Sequence, residues 1–248
     1  MNIFDYEFPD MLIKVSSKKE YLEDLRDGKI YMNESGYFRK LEDTYRGDRF
    51  DGRCPVSFDN QPDGFFEFGS VKIPLSSVKD FTVGFINDDK IPLYCCSQLS
   101  DSILIKETDT SFKFRDEFIS EMEKFGGYYA LFMKNEFLQN MVNHINDKQF
   151  NAKWGPVSYV DIQSEYQINI IADKDRNKLE AFFKKDSTYM WQNEWRILMA
   201  SSNDKPIISK EDNHYIAQIK PLTWFHIGEI SELRSGSIKL SETDDTVE

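Results

Sequence analysis

Between Met11 and Asn33 the chain passes through a strand, a helix and a second strand with few residues left for connections, and this limits the folds open to it. Met11-Leu12-Ile13-Lys14-Val15 reads as a short strand. Ser16 or Ser17 can cap the helix that follows, and Ser17-Lys18-Lys19-Glu20 has capping-box spacing. Leu22 and Leu25 give that helix an apolar side, Gly28 ends it, and Lys29-Ile30-Tyr31-Met32-Asn33 forms the second strand.

Further strands are expected at Phe65–Phe68, Ser70–Ile73, Phe81–Ile86, Pro92–Ser97, Tyr128–Met133, Val157–Tyr159, Gln167–Ile171, Trp195–Met199, Tyr215–Ile219 and Trp224–Ile227. Helices are expected at Glu117–Lys124, Asn135–Asn146 and Lys174–Lys184; the second carries Phe137, Leu138, Met141, Val142 and Ile145 on one side. Glu34 to Pro55 mixes charges and aromatics, with turn signals at Arg46-Gly47-Asp48 and Asp51-Gly52. It reads either as a loop lining a site or as a solvated connector with a short helix around Tyr37 to Asp43. Helices set between groups of strands favour an α+β fold with mixed, mostly antiparallel sheets and flanking helices. No linker divides the chain, so residues 1–240 are expected as a single domain, with 241–248 an acidic flexible tail.

Composition narrows the function classes. A formal charge of -12 gives the wrong sign for nonspecific binding to nucleic-acid phosphates, so none is expected. The same acidity suits a DNA mimic or a partner of basic proteins. Apolar runs fall short of the roughly 20 residues a membrane span needs, and the acidic opening MNIFDYEFPD lacks a secretion signal. The expected location is the cytoplasm, with no membrane partner. Three dispersed histidines and three cysteines show no zinc-ligand spacing, and Cys95-Cys96 reads as a buried, inert pair in a strand. No P-loop, dinucleotide fingerprint or nucleophile elbow occurs. Asp48, Asp51 and Glu67 make a loosely spaced set of metal ligands for a nucleic-acid-processing enzyme.

The strongest functional signal is Tyr189-Met190-Trp191-Gln192-Asn193-Glu194-Trp195-Arg196-Ile197-Leu198-Met199. Residues two apart on a strand share a face, so Gln192 and Glu194 should project together. They form either a catalytic carboxylate with a helper amide, or the solvent face of a half-buried strand whose Trp191, Trp195 and Ile197 point inward.

The opening unit and Gln192-Asn193-Glu194 together resemble the ADP-ribosyltransferase superfamily, whose catalytic signature takes a Gln-x-Glu form at the start of a late strand. Ile30-Tyr31-Met32-Asn33, Tyr37-Phe38-Arg39, Arg46-Gly47-Asp48, Asp51-Gly52, the Gln-x-Glu-Trp-Arg-Ile strand and Ile227-Gly228-Glu229-Ile230 also resemble an uncharacterised family of bacteria and their phages. The superfamily likeness implies an ADP-ribosyltransferase-like fold with NAD as substrate and a protein or nucleic-acid target in conflict between bacteria and phages. It implies Glu194 as the carboxylate that stabilises the ribosyl cation and Gln192 as the group that orients the acceptor. Tyr31 would stack on nicotinamide, Ser16 would bond its amide or ribose, and Arg46 or Arg49 would clamp the diphosphate. Lys14 stands where the superfamily places Arg or His, and lysine makes no bidentate contact. The middle Ser-Thr-Ser strand has only Cys96-Ser97 or Val157-Ser158-Tyr159 in its place. The alternative is a non-catalytic acidic protein that blocks a host or defence factor.

Overall fold

A computed structural model describes residues 8–41, 47–48, 51–56, 63–78, 81–84, 87–161, 179–202 and 205–239. In chain order the first elements are β1 (Met11–Ser16), α1 (Lys19–Arg26), β2 (Lys29–Glu34) and α2 (Ser35–Lys40). Then come β3 (Cys54–Val56), β4 (Phe65–Phe68), β5 (Val71–Pro74), β6 (Phe81–Val83), β7 (Pro92–Gln98), β8 (Leu104–Thr108) and β9 (Ser111–Phe114). They are followed by α3 (Asp116–Met122), β10 (Tyr128–Met133), α4 (Lys134–Lys148), β11 (Phe150–Pro156), β12 (Ser158–Val160) and β13 (Lys184–Asp186). The last are β14 (Glu194–Ser201), β15 (His214–Gln218), β16 (Phe225–Glu229) and β17 (Ile238–Lys239). The protein is α+β with mostly antiparallel sheets; among the described residues only β12 and β13 pair in parallel.

The principal sheet runs β11-β14-β7-β1-β10-β16, and a branch of β2 and β15 joins it at β7. Alternation along β14 sorts its side chains between two environments. Trp195, Ile197 and Met199 enter a core with Leu12 of β1 and with Phe137, Met141 and Ile145 of α4. Leu198 enters a smaller cluster on the other face with Leu93, Phe182 and Phe183. Burying one such side chain contributes about 1.5–3 kcal/mol, and this fixes which way Glu194 and Arg196 point. A third cluster joins Met11 and Ile13 of β1 to α3 and the β8–β9 hairpin. No helix among the described residues is long and apolar enough to cross a membrane.

Several expectations need correction. The capping box does not form: Lys18 is the N-cap of α1 and makes no side-chain cap bond. The Ser16 hydroxyl accepts a 3.3 Å bond from the Lys18 amide instead. Of the Lys174–Lys184 helix, the described part is a 3-10 turn at Glu180–Phe183 followed by β13. Leu179, Phe182 and Phe183 all turn into one cluster there, a grouping too short for an amphipathic α-helix. The remainder of that segment and Gln167–Ile171 lie outside the described residues, as does the tail beyond Lys239. The β8–β9 hairpin and β11 were not expected; Ile105, Lys106, Glu107 and Thr108 are exposed and disguise the period of β8. The close of α1 is as expected, with Gly28 at φ +87 and so near Ile219 that a Cβ would lie 2.3 Å from its carbonyl oxygen.

Candidate functional site

The branch in the principal sheet makes the site. The far end of β7 pairs with β1 through Leu12–Gln98 and Ile13–Ser97. Its near end pairs with β2 through Asn33–Leu93 and Glu34–Pro92. Between these contacts β1 and β2 diverge, held apart by α1. Among the described residues, Tyr94 to Cys96 of β7 pair only on the other edge, with Trp195 to Ile197 of β14. A cavity of about 610 Å³ opens at this split, with Lys14, Ser16, Tyr31, Tyr94, Gln192 and Glu194 among its walls. That volume lies in the range of small-molecule and cofactor sites. Because β7 has side chains on both faces of the sheet, the cavity meets Tyr94 and Cys96 on one side and Cys95 and Ser97 on the other.

The Lys14 ammonium fills part of the gap, donating to the Cys95 carbonyl at 2.5 Å and lying 4.8 Å from the centre of the Tyr94 ring. Three partly exposed tyrosines, Tyr21 of α1, Tyr31 of β2 and Tyr37 of α2, also line the cavity. Tyr31 stacks on His214 at 4.5 Å. These rings suit a planar ligand group.

On the opposite face lies a buried ionic cluster. Arg196, 1% exposed, uses all five of its donors. Nε donates to Glu194 Oε1 at 2.8 Å, and Nη2 donates to Glu194 Oε2 at 3.2 Å and Asp51 Oδ2 at 3.1 Å. Nη1 donates to Asp51 Oδ1 at 2.7 Å and to the Phe182 carbonyl at 2.6 Å. Lys185, also buried, donates to Gln192 Oε1 at 2.8 Å and to Glu194 Oε2 at 3.2 Å. Two acids and two bases balance, so no net charge is buried in this group.

Local sequence explains how these groups meet. Asp51 reaches Arg196 because Gly52, at φ +70, turns the backbone against Phe182; a Cβ there would lie 2.0 Å from the ring. Arg39 anchors the same turn by donating to the Asp51 carbonyl at 2.7 Å, and it pairs with Asp88 at 3.0 Å. Arg53 also donates to Asp88, at 2.9 Å. The expected reason for the convergence of Gln192 and Glu194 is not the one found. Gln192 closes a 3-10 turn, Ser187–Gln192, whose first turn is capped by the Asp186 carboxylate accepting from the Thr188 amide. Asn193 is left-handed at φ 41, and only at Glu194 does the strand begin. Lys185 brings the two side chains together, not strand alternation. Neither is on a solvent face, since both are buried.

Burial opposes ionisation of Glu194, but Arg196, Lys185 and the Arg196 hydrogen bonds outweigh it and hold the carboxyl well below the usual range. Glu194 is therefore an anion at neutral pH. A depressed folded-state pKa stabilises the protein above the unfolded value of about 4.3 and ceases to do so as pH falls through the folded value. Unfolding free energy should thus decline below about pH 4.3, with a shallower acid slope in Glu194→Gln; urea titrations between neutral and acid pH measure it. Burial and the neighbouring Glu194 push the half-buried Cys95 thiol up, and burial pushes Cys96 up to about 12. Neither is a thiolate nucleophile at neutral pH.

Of the residues expected at a site, Lys14, Ser16, Tyr31, Gln192 and Glu194 all line the one cavity. Arg46 and Arg49 lie outside the described residues. The metal set is corrected: Asp51 is occupied by Arg196, Glu67 sits on the separate β4–β5 hairpin, and no metal-holding group of three occurs among the described residues. Sequence reasoning missed Lys185, Arg196 and Tyr94. Arg196 had a signal, because a charge inside an apolar strand run needs a buried partner. Compared with known proteins, the chain matches no family model, no curated protein and no solved structure.

Proposed function

We propose that the split between β1 and β2 binds NAD and that the protein is an ADP-ribosyltransferase-like enzyme transferring ADP-ribose to a macromolecular target. The observation that carries this reading is the convergence on one cavity of Lys14, Ser16, Tyr31, Gln192 and Glu194, brought from the beginning and the end of the chain. NAD carries its positive charge on the nicotinamide ring. As the bond from ring nitrogen to ribose C1 breaks, the electron pair stays with nicotinamide and the charge passes to the sugar. A fixed carboxylate beside the sugar stabilises that charge where it develops. Arg196 and Lys185 hold Glu194 ionised and in one orientation, so no reorganisation accompanies the step. Gln192, already oriented by Lys185, positions the acceptor whose nucleophilic atom bonds to C1 and loses its proton. The test is nicotinamide release on incubation with NAD: steady release is expected, and its absence removes the enzyme.

A second reading draws on the same cluster. Glu194 already accepts three hydrogen bonds from cationic donors, which offsets the charge it presents to a sugar. A non-catalytic acidic protein that blocks a basic partner would use the scaffold without the chemistry. It would bind that partner with a steep salt dependence and release no nicotinamide.

A further inference from the structure

Three tyrosines meet at the mouth of the cavity from three separate elements. Tyr21 of α1, Tyr31 of β2 and Tyr37 of α2 are 57, 50 and 38% exposed, and all line the opening. One exposed tyrosine needs no explanation, but three at a single opening make an aromatic surface that a ligand can reach. Burial, and then the neighbouring phenols of Tyr37 and Tyr21, raise the Tyr31 phenol, so the three side chains are near neighbours. Among the described residues their rings nevertheless pack on other groups and not on one another. Tyr31 stacks on His214 at 4.5 Å, and Tyr37 meets Phe38 edge-on at 5.4 Å. The Lys18 ammonium lies 5.4 Å from the centre of the Tyr21 ring. Rings held near one another but not in contact leave room for a flat group between them.

Register places this surface relative to Glu194. Asn33 of β2 pairs with Leu93 of β7, and Leu93 pairs with Leu198 of β14. Paired residues share a face, as do residues two apart, so Tyr31, Asn33 and Glu194 project from one side of the sheet. β2 and β14 are two strands apart, which puts Tyr31 roughly 10 Å or more from Glu194. Nicotinamide is bonded directly to the sugar that reacts at Glu194. The adenine of a dinucleotide lies beyond a diphosphate and a second ribose, and that reach suits the tyrosines better. Asn33 also lines the cavity, and its amide carries the donor and acceptor that match the N6 and N7 edge of adenine.

We propose that the tyrosine mouth is a purine subsite, where the adenine of a nucleotide stacks among Tyr21, Tyr31 and Tyr37 and the Asn33 amide reads its edge. Tyr31 thereby passes from the nicotinamide end, where the superfamily likeness would put it, to the adenine end. A polynucleotide is the poorer source of the base, because a net charge of -12 repels its repeated phosphates. That the nucleotide is NAD rests on the reading above; the purine subsite itself does not.

The test is calorimetric titration of wild type and the double variant Tyr21→Ser, Tyr37→Ser with NAD, AMP, nicotinamide mononucleotide and a short oligodeoxyadenylate. The variant should melt with wild type, since both side chains are exposed. It should bind NAD and AMP about tenfold more weakly, the size of one lost base stack. Nicotinamide mononucleotide, which lacks the adenine, should bind both proteins alike. In Asn33→Leu, a preference for AMP over IMP should disappear, and one that persists takes Asn33 out of the subsite. Should the double variant melt early, Tyr21→Ser alone must still weaken NAD and AMP. Unchanged affinity for both in a folded variant overturns the proposal and leaves the NAD reading intact. An equal loss for nicotinamide mononucleotide also overturns it, because the tyrosines then serve the other end. Tighter binding of the oligonucleotide than of AMP overturns it in favour of single-stranded nucleic acid. AMP binding that the variant weakens, with no binding of NAD, upholds the purine subsite and removes the dinucleotide. If wild type binds neither NAD nor AMP, both fall.

Discussion

Replacing Arg196 by Met should cost about 3–5 kcal/mol of folding stability, because it strands two buried carboxylates, Glu194 and Asp51, that share one guanidinium. For a chain of this size that corresponds to a melting temperature roughly 6–20 °C lower. Lysine would not restore it, since an ammonium cannot replace a five-donor fork divided among two carboxylates and the Phe182 carbonyl. The loss should narrow at acid pH, where Glu194, deprived of the guanidinium that holds its carboxyl ionised, takes up a proton and ceases to be a buried charge. Thermal unfolding at neutral pH and at about pH 4 measures both effects. A variant as stable as wild type at neutral pH would mean that Asp51 and Glu194 are not held by this arginine.

The largest kinetic effect is expected from Glu194→Gln. The amide keeps the shape of the side chain and removes its charge. Nicotinamide release should fall by about 10²–10³, the loss usual for one preorganised electrostatic group. NAD affinity should change little, because the charge matters most when the sugar becomes cationic. The melting curve of the variant must be recorded alongside, since Arg196 and Lys185 both lose an anionic partner. Release unchanged in a folded variant would take Glu194 out of the mechanism.

Much of the frame was legible in the chain. A short apolar run located β1, alternation of Ile30 and Met32 with polar or exposed residues located β2, and β10 runs from Tyr128 to Met133 as expected. The apolar stripe of Phe137, Met141 and Ile145 located α4. Each of these signals is local, a short apolar run or a period of two or 3.6 residues. The cavity was legible in its residues but not in its geometry. Nothing in Asp51-Gly52 announces a partner 145 residues away, yet that turn supplies the carboxylate that balances Arg196. Nor does a strand pattern show that β7 joins β1 at one end and β2 at the other, which is what opens the cleft. Gln192 and Glu194 were paired for the wrong reason, since a left-handed Asn193 separates turn from strand and a lysine outside the motif joins them.

The most direct measurement is the melting temperature of the wild-type protein with and without NAD. A ligand that binds only the folded state at a hundred times its dissociation constant adds about 2.7 kcal/mol. Here that means a rise of roughly 5–11 °C. A rise that saturates with NAD concentration is the expected result. A melting temperature unmoved by millimolar NAD would contradict the claim that the divided sheet is a dinucleotide site.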